Sequence, residues 1–459
     1  MNVASNGSSG NPEAPPLVGR PGQGANLVIR GARLFDPRTG LDATRDLVVR
    51  EGEIAELAEP GGDPGVEGAE VVEAEGLLAL PAFVDPHVHL RVPGQEHKED
   101  LETGTRAAAA GGYCAVIAMA NTSPPIDSAA VLGSVLERAQ SEASVPIGFI
   151  ATVTRAMAGE ELTEMAELRE AGAIGFSDDG LPIANARVLR RALQYQRLAG
   201  GVIALHEEDP DLSAGGVMHE GEASAVLGMA GIPSVSESTM IARDCSLALY
   251  EGARVQVQHL SARSSVEEIA RAKAAGVQVT SEVTPHHLTL TEDAVRGLDA
   301  RFKMNPPLRS EDDRAALLDG LRDGTIDCIA TDHAPHAIEE KEVPFEEAAW
   351  GVTGLETAFA ALHTLLVLPG ALSLETLVER LTSGGEPFGI EAPRIEKGAR
   401  ANLALIDPAL KWVVGEDGYE SRSYNSCFAD MELTGRVLMT VAAGRVAFRQ
   451  RSFAMGVAG

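Results

Sequence analysis

The chain has 459 residues, enough to bury a large core and to hold one big domain beside a smaller one. Hydrophobic residues make up 44% and charged residues 23%, an ordinary balance for a soluble globular protein. A formal net charge of -29 repels phosphate backbones and anionic lipid, which argues against a nucleic-acid or membrane-surface partner and means that an anionic ligand needs a locally positive pocket.

Residues 1–25, rich in Gly, Ser, Asn and Pro, read as a disordered leader. They carry no basic region followed by an apolar core, so no signal peptide is expected. The chain has no apolar run of roughly 18 residues, so no membrane span is expected. Four widely spaced cysteines (Cys114, Cys245, Cys328, Cys427) form no Cys-x-x-Cys pair, which fits a reducing cytoplasm.

From residue 26 short β-like runs alternate with Gly, Pro and Asp clusters: 26–30, 46–50, 53–57 and 71–73. Similar runs return at 401–406, 437–441 and 445–448. Residues 26–82 and 391–459 are therefore expected to form one small β-sandwich built from both termini. Between them, over 83–390, apolar strand-like runs alternate with amphipathic stretches. The run 77–84 supplies the first strand, and 114–119, 147–150, 174–176, 202–205, 255–258, 277–280 and 328–330 supply seven more. Helix-like segments cover 160–171, 186–199, 265–275 and 312–322. Eight strand–helix repeats predict a closed (β/α)8 barrel, with a doubly wound open sheet as the runner-up.

In such barrels the reactive groups gather at the C-terminal strand ends. The first strand ends in Asp85-Pro86-His87-Val88-His89-Leu90-Arg91. Side chains two apart on a strand share a face, so His87 and His89 can converge on one ion. Arg91 sets a fixed positive charge beside them, suited to a carboxylate. Further strands run into Asn121, into Ser177-Asp178-Asp179-Gly180, into His206, into His259 and into Thr331-Asp332-His333-Ala334-Pro335-His336. Each alone has a structural reading as a turn or core residue. Together, at one end of one barrel, they point to a metal site.

The order His-x-His, bridge, His, His, Asp resembles the amidohydrolase superfamily. Within it, residues 85–91, 93–100, 176–180 and 332–336 resemble dihydroorotase of the bacterial type I class. The resemblance runs from about 26 to about 450. It implies reversible hydrolysis of L-dihydroorotate to N-carbamoyl-L-aspartate in de novo pyrimidine synthesis. It also implies two Zn2+ ions, one on His87, His89 and Asp332, the other on His206 and His259.

Many superfamily members bridge their metals with a carboxylated lysine, yet no lysine lies between Lys98 and Lys273. The bridge must then be a carboxylate. Asp179 is the choice and Asp178 the alternate, the type I motif favouring the second. This argues against hydantoinase, dihydropyrimidinase and allantoinase types. Asp332 would also carry the proton from attacking water to the departing amide nitrogen. Substrate contacts are assigned to His89, Arg91, Asn121, Asn305 after a further barrel strand, His336 and the pair Trp350-Gly351. The chain departs from the family at Val92, commonly Glu, at Ala120, commonly Pro, and at Trp350, expected as Phe. The resemblance also leaves room for a homo-oligomer, for an aspartate transcarbamoylase partner, and for a rival reading as an inactive scaffold for that enzyme.

Overall fold

The computed structural model describes residues 14–61 and 68–454. Eight parallel strands make the central barrel: β1 Phe83–Val88, β2 Tyr113–Ala118, β3 Ile147–Ala151, β4 Gly175–Phe176, β5 Ile203–Leu205, β6 Arg254–Val257, β7 Gln278–Val283 and β8 Cys328–Ile329. They pair in sequence order. Closure between the last and first strands comes from a parallel bridge, Val88 to His333, and from His89 N–H donating to His333 O at 2.9 Å. Asp85, fully buried, braces the same seam by accepting the Thr331 N–H and hydroxyl. The alternating pattern thus closes into a barrel rather than an open doubly wound sheet.

The strands are mostly buried on both faces, as expected for a parallel barrel covered by helices. The intervening helices carry their own boundary signals. Ala186–Ala199 starts where the Asn185 side chain accepts the Arg187 N–H, and it buries the Val188, Leu189, Ala192, Leu193 and Gln196 face. Glu311–Asp323 begins with a Ser310 capping box and stops at Gly324, whose φ of +88° favours glycine. The sequence pattern at 160–171 resolves into a shorter helix, Met165–Ala171.

The run 77–84 is two strands, not one. Leu78–Pro81 leaves the barrel and pairs with strands Leu27–Asp36 and Leu403–Val413, and only Phe83–Val88 enters it. The terminal segments join in one eight-stranded, mainly antiparallel sheet with an apolar core of its own, including Leu34, Leu47, Ile54, Leu405 and Val441. Residues 62–67 and 455–459 of this unit lie outside the described residues.

The leader expected over 1–25 needs correcting at its inner end. Residues 1–13 lie outside the described residues, but Val18 exchanges two backbone hydrogen bonds with Ile147 at 2.9 and 2.7 Å. Leu17 packs on the barrel core beside it. This bridge to the first residue of β3 holds a segment whose composition alone reads as disordered. Among the described residues no helix is long and apolar enough to cross a membrane.

Candidate metal centre

Five of the expected ligands form two trios sharing Asp179: His87, His89 and Asp179, then Asp179, His206 and His259, all buried. The shared carboxylate is split between them. Its Oδ2 lies 3.5 Å from His87 Nε2 and 3.4 Å from His89 Nε2, while Oδ1 lies 3.7 Å from both His206 Nδ1 and His259 Nε2. Asp332 closes the first trio, its Oδ1 3.4 Å from His87 Nε2 and 3.0 Å from His89 Nε2. Burial opposes ionisation of Asp332, yet His87 and His89 hold its carboxyl below the usual range. Asp179 behaves alike, burial being overcome by His87, His259 and His89.

Asp178 and Asp179 divide their work. Asp178 turns away, accepting the Val153 and Thr154 N–H groups at 2.8 and 3.1 Å and the Thr154 hydroxyl. Strain marks the other ends: Asp332, His259 and Arg91 adopt φ of +47°, +30° and +58°.

The donor set fits a metal. His87 Nε2 and Asp179 Oδ1 are buried and have no hydrogen-bond partner among the described residues, and His206 Nδ1 sits 3.0 Å from His259 Nε2. Ligand atoms around a tetrahedral ion with bonds of about 2.0–2.1 Å stand roughly 3.3 Å apart, close to these separations. Imidazole and carboxylate donors suit a first-row divalent metal.

Several residues that hold these ligands escape a motif reading. Glu282, inside β7, sets its Oε1 2.8 Å from His87 Nδ1, and Gln256 donates to its Oε2 at 3.1 Å. Gln258 reaches His87 Nδ1 at 3.3 Å. Glu208 lies 3.5 Å from His206 Nε2, the ring nitrogen facing away from Asp179. The available signal for Glu282 was a lone acid within a barrel strand, Gln278–Val283.

The expected substrate contacts cluster on the same mouth, with different freedoms. Arg91 is buried, donates Nε to Pro335 O at 3.1 Å, and forms no ion pair among the described residues. Asn121 is committed to the ligands: its Oδ1 meets His89 Nδ1 at 2.8 Å, and its Nδ2 donates to Asp179 O and Oδ2 at 3.2 Å. Asn305 does not follow a barrel strand as expected; it lies in the long β7–β8 connection, which lacks strand pairing there. Its Nδ2 donates to Glu208 at 2.6 Å, leaving its Oδ1 buried without a partner.

His336 donates Nε2–H to Trp350 O at 2.7 Å. Burial and the nearby Arg91 charge push its pKa down to about 3, so the ring is neutral. Gly351, at φ +127°, packs so closely that an added Cβ would meet Ala334 Cβ at 2.6 Å and His336 Nε2 at 3.2 Å. His333 points out of the cluster, with Nδ1 accepting the Gly354 N–H at 3.2 Å.

A Dihydro-orotase-like family model matches residues 76–265. The chain is 44% identical over 427 residues to the dihydroorotase of Trichlorobacter lovleyi, covering 93% of this chain and all of the relative. It is 46% identical to those of Pelotomaculum thermopropionicum (93% and 99% covered) and Anaeromyxobacter dehalogenans (92% and 97%). Among solved structures, the L-hydantoinase (dihydropyrimidinase) of Arthrobacter aurescens superposes with a TM-score of 0.81 at 26% identity, covering 92% and 96% of the two chains. A dihydropyrimidinase from Brevibacillus agri, at 0.79 and 22% with 92% and 95% covered, shares the fold. With near-complete coverage at these identities, and with a buried His/Asp cluster at the barrel mouth, the chain belongs to the dihydroorotase family of cyclic amide hydrolases.

Proposed function

We propose that this chain interconverts L-dihydroorotate and N-carbamoyl-L-aspartate, using two Zn2+ ions bridged by Asp179. His87, His89 and Asp332 would hold one ion, and His206 and His259 the other. When bound, the metals polarise the ring amide carbonyl and lower the pKa of water at the site. Asp332, ionised before reaction, takes a proton from the attacking water and passes it to the ring nitrogen as the carbon–nitrogen bond breaks.

The observation that carries the substrate reading is Arg91, a buried guanidinium without a carboxylate partner among the described residues, beside the ligand cluster. A substrate carboxylate satisfies it with charge-assisted hydrogen bonds in an otherwise acidic protein. With Asn305 Nδ2 held by Glu208, its Oδ1 is left to accept a ring N–H. His89 serves both the metal and the wall that faces the ligand. Trp350, Gly351 and His336 complete that wall, while Asn121 acts through His89 and Asp179.

A hydantoinase reading shares the fold, but the centre here is bridged by a carboxylate with no lysine between Lys98 and Lys273. The scaffold reading is disfavoured because all six ligand residues are present and converge. Turnover of dihydroorotate, hydantoin and allantoin by zinc-loaded protein tests the proposal: dihydroorotate alone is hydrolysed, and a preference for either other ring refutes it. The resemblance leaves room for self-association and for a transcarbamoylase partner, and the cysteine spacing fits a cytoplasmic location. Light scattering on a sizing column, alone and with a transcarbamoylase, tests the first two. Four free, buried cysteines accord with the third.

A further inference from the structure

Two of the six lysines in this chain, Lys303 and Lys341, are buried behind the wall formed by Trp350, Gly351 and His336. Neither makes an ion pair among the described residues. Lys341 Nζ instead donates to three backbone carbonyls, Ala349 O at 2.8 Å, Gly351 O at 2.9 Å and Lys303 O at 3.1 Å. Lys303 Nζ donates to Phe345 O at 2.7 Å and Glu346 O at 2.9 Å, and it stands 4.6 Å over the Trp350 ring. The Gly351 N–H returns a hydrogen bond to Lys303 O at 3.0 Å.

Five carbonyls from a seven-residue loop and its neighbour thus converge on two cations. A buried ammonium without a counter-ion is costly, and carbonyl dipoles offset only part of that cost. Burial and the neighbouring Lys303 charge push the Lys341 ammonium down to about 7. Three acceptors nevertheless need three N–H donors, which only the charged form carries. The arrangement fixes three groups at once. Lys303 is two residues before Asn305, its charge faces the Trp350 ring, and Trp350 O receives His336 Nε2–H at 2.7 Å.

We propose that Lys303 and Lys341 are positioning residues for substrate binding, which hold the Trp350–Gly351 wall and His336 in place without touching the substrate. This rests on the functional reading above.

The test uses zinc-loaded, full-length protein with Trp412→Phe, which leaves Trp350 as the sole tryptophan. Adding Lys341→Met or Lys303→Met is expected to raise KM for dihydroorotate at least tenfold, with kcat within threefold and zinc content unchanged. Trp350 emission is expected to shift and to lose its response to N-carbamoyl-L-aspartate. Unchanged KM and unchanged emission overturn the proposal, as does a fall in kcat at constant KM. If either Met variant fails to fold, Lys303→Gln keeps one donor but removes the charge over Trp350, and a normal KM with unaltered emission again overturns it. The parent protein separates the two readings. Failure to turn over dihydroorotate sinks the functional assignment, whereas turnover with a lysine-insensitive KM sinks only this proposal.

Discussion

His87 Nδ1 lies 2.8 Å from Glu282 Oε1, and this contact turns the other ring nitrogen, Nε2, toward Asp179 and Asp332. A histidine whose far nitrogen donates to a carboxylate is locked in one tautomer and made a better donor to a metal. Glu282→Gln removes that charge while keeping the shape. Zinc affinity is expected to fall about 10- to 100-fold, read by competition with a chelator. An unchanged affinity would show that Glu282 only fills the barrel.

Asp332 Oδ1 lies 3.4 and 3.0 Å from His87 and His89 Nε2, and in the proposed reaction it takes the proton of the attacking water. Asp332→Ala is expected to lower kcat by about 10²- to 10⁴-fold, the usual worth of a positioned proton carrier. Circular dichroism and thermal melting should remain close to the parent's. Near-parent turnover by a folded Asp332→Ala protein would remove the assigned proton path.

Arg91 is expected to act through binding. Arg91→Met leaves a substrate carboxylate without its charged partner, a loss of about 1.5–3 kcal/mol, or roughly 10- to 150-fold in KM. Steady-state kinetics with both parameters intact would contradict the role.

Glu356 offers a pH test away from the metals. Burial raises its carboxyl to about 7, despite hydrogen bonds from the Glu420 and Ser421 N–H groups at 3.0 and 3.1 Å. Its folded pKa lies above the unfolded value, so its contribution is fully present below about 4.5 and is lost as pH rises through about 7. The full loss is on the order of 3 kcal/mol. Glu356→Gln should flatten stability between pH 5 and 8 relative to the parent in urea titrations. Parallel curves for the two proteins would contradict the shift.

The barrel and the convergence of its His and Asp residues were legible because both are written locally. His87 and His89 lie two apart at the end of one strand, and each of the other four residues lies within three positions of the end of another. Choosing Asp179 over Asp178 needed family resemblance, since two adjacent acids after a strand look alike until Thr154 is seen to claim the first. Leu78–Pro81 was read into the barrel because an apolar run does not reveal which sheet it joins, and Ala82 lies between two strands of different partners. Glu282 and the two buried lysines act through contacts with residues about 10 to nearly 200 positions away, and Glu208 reaches Asn305 97 positions on, which no local pattern encodes.

Anomalous diffraction from zinc-loaded crystals at the zinc edge tests the central claim most directly. Two peaks are expected flanking Asp179, one against His87, His89 and Asp332 and the other against His206 and His259. Peaks located elsewhere, or none near Asp179, would contradict a metal centre built from these six side chains.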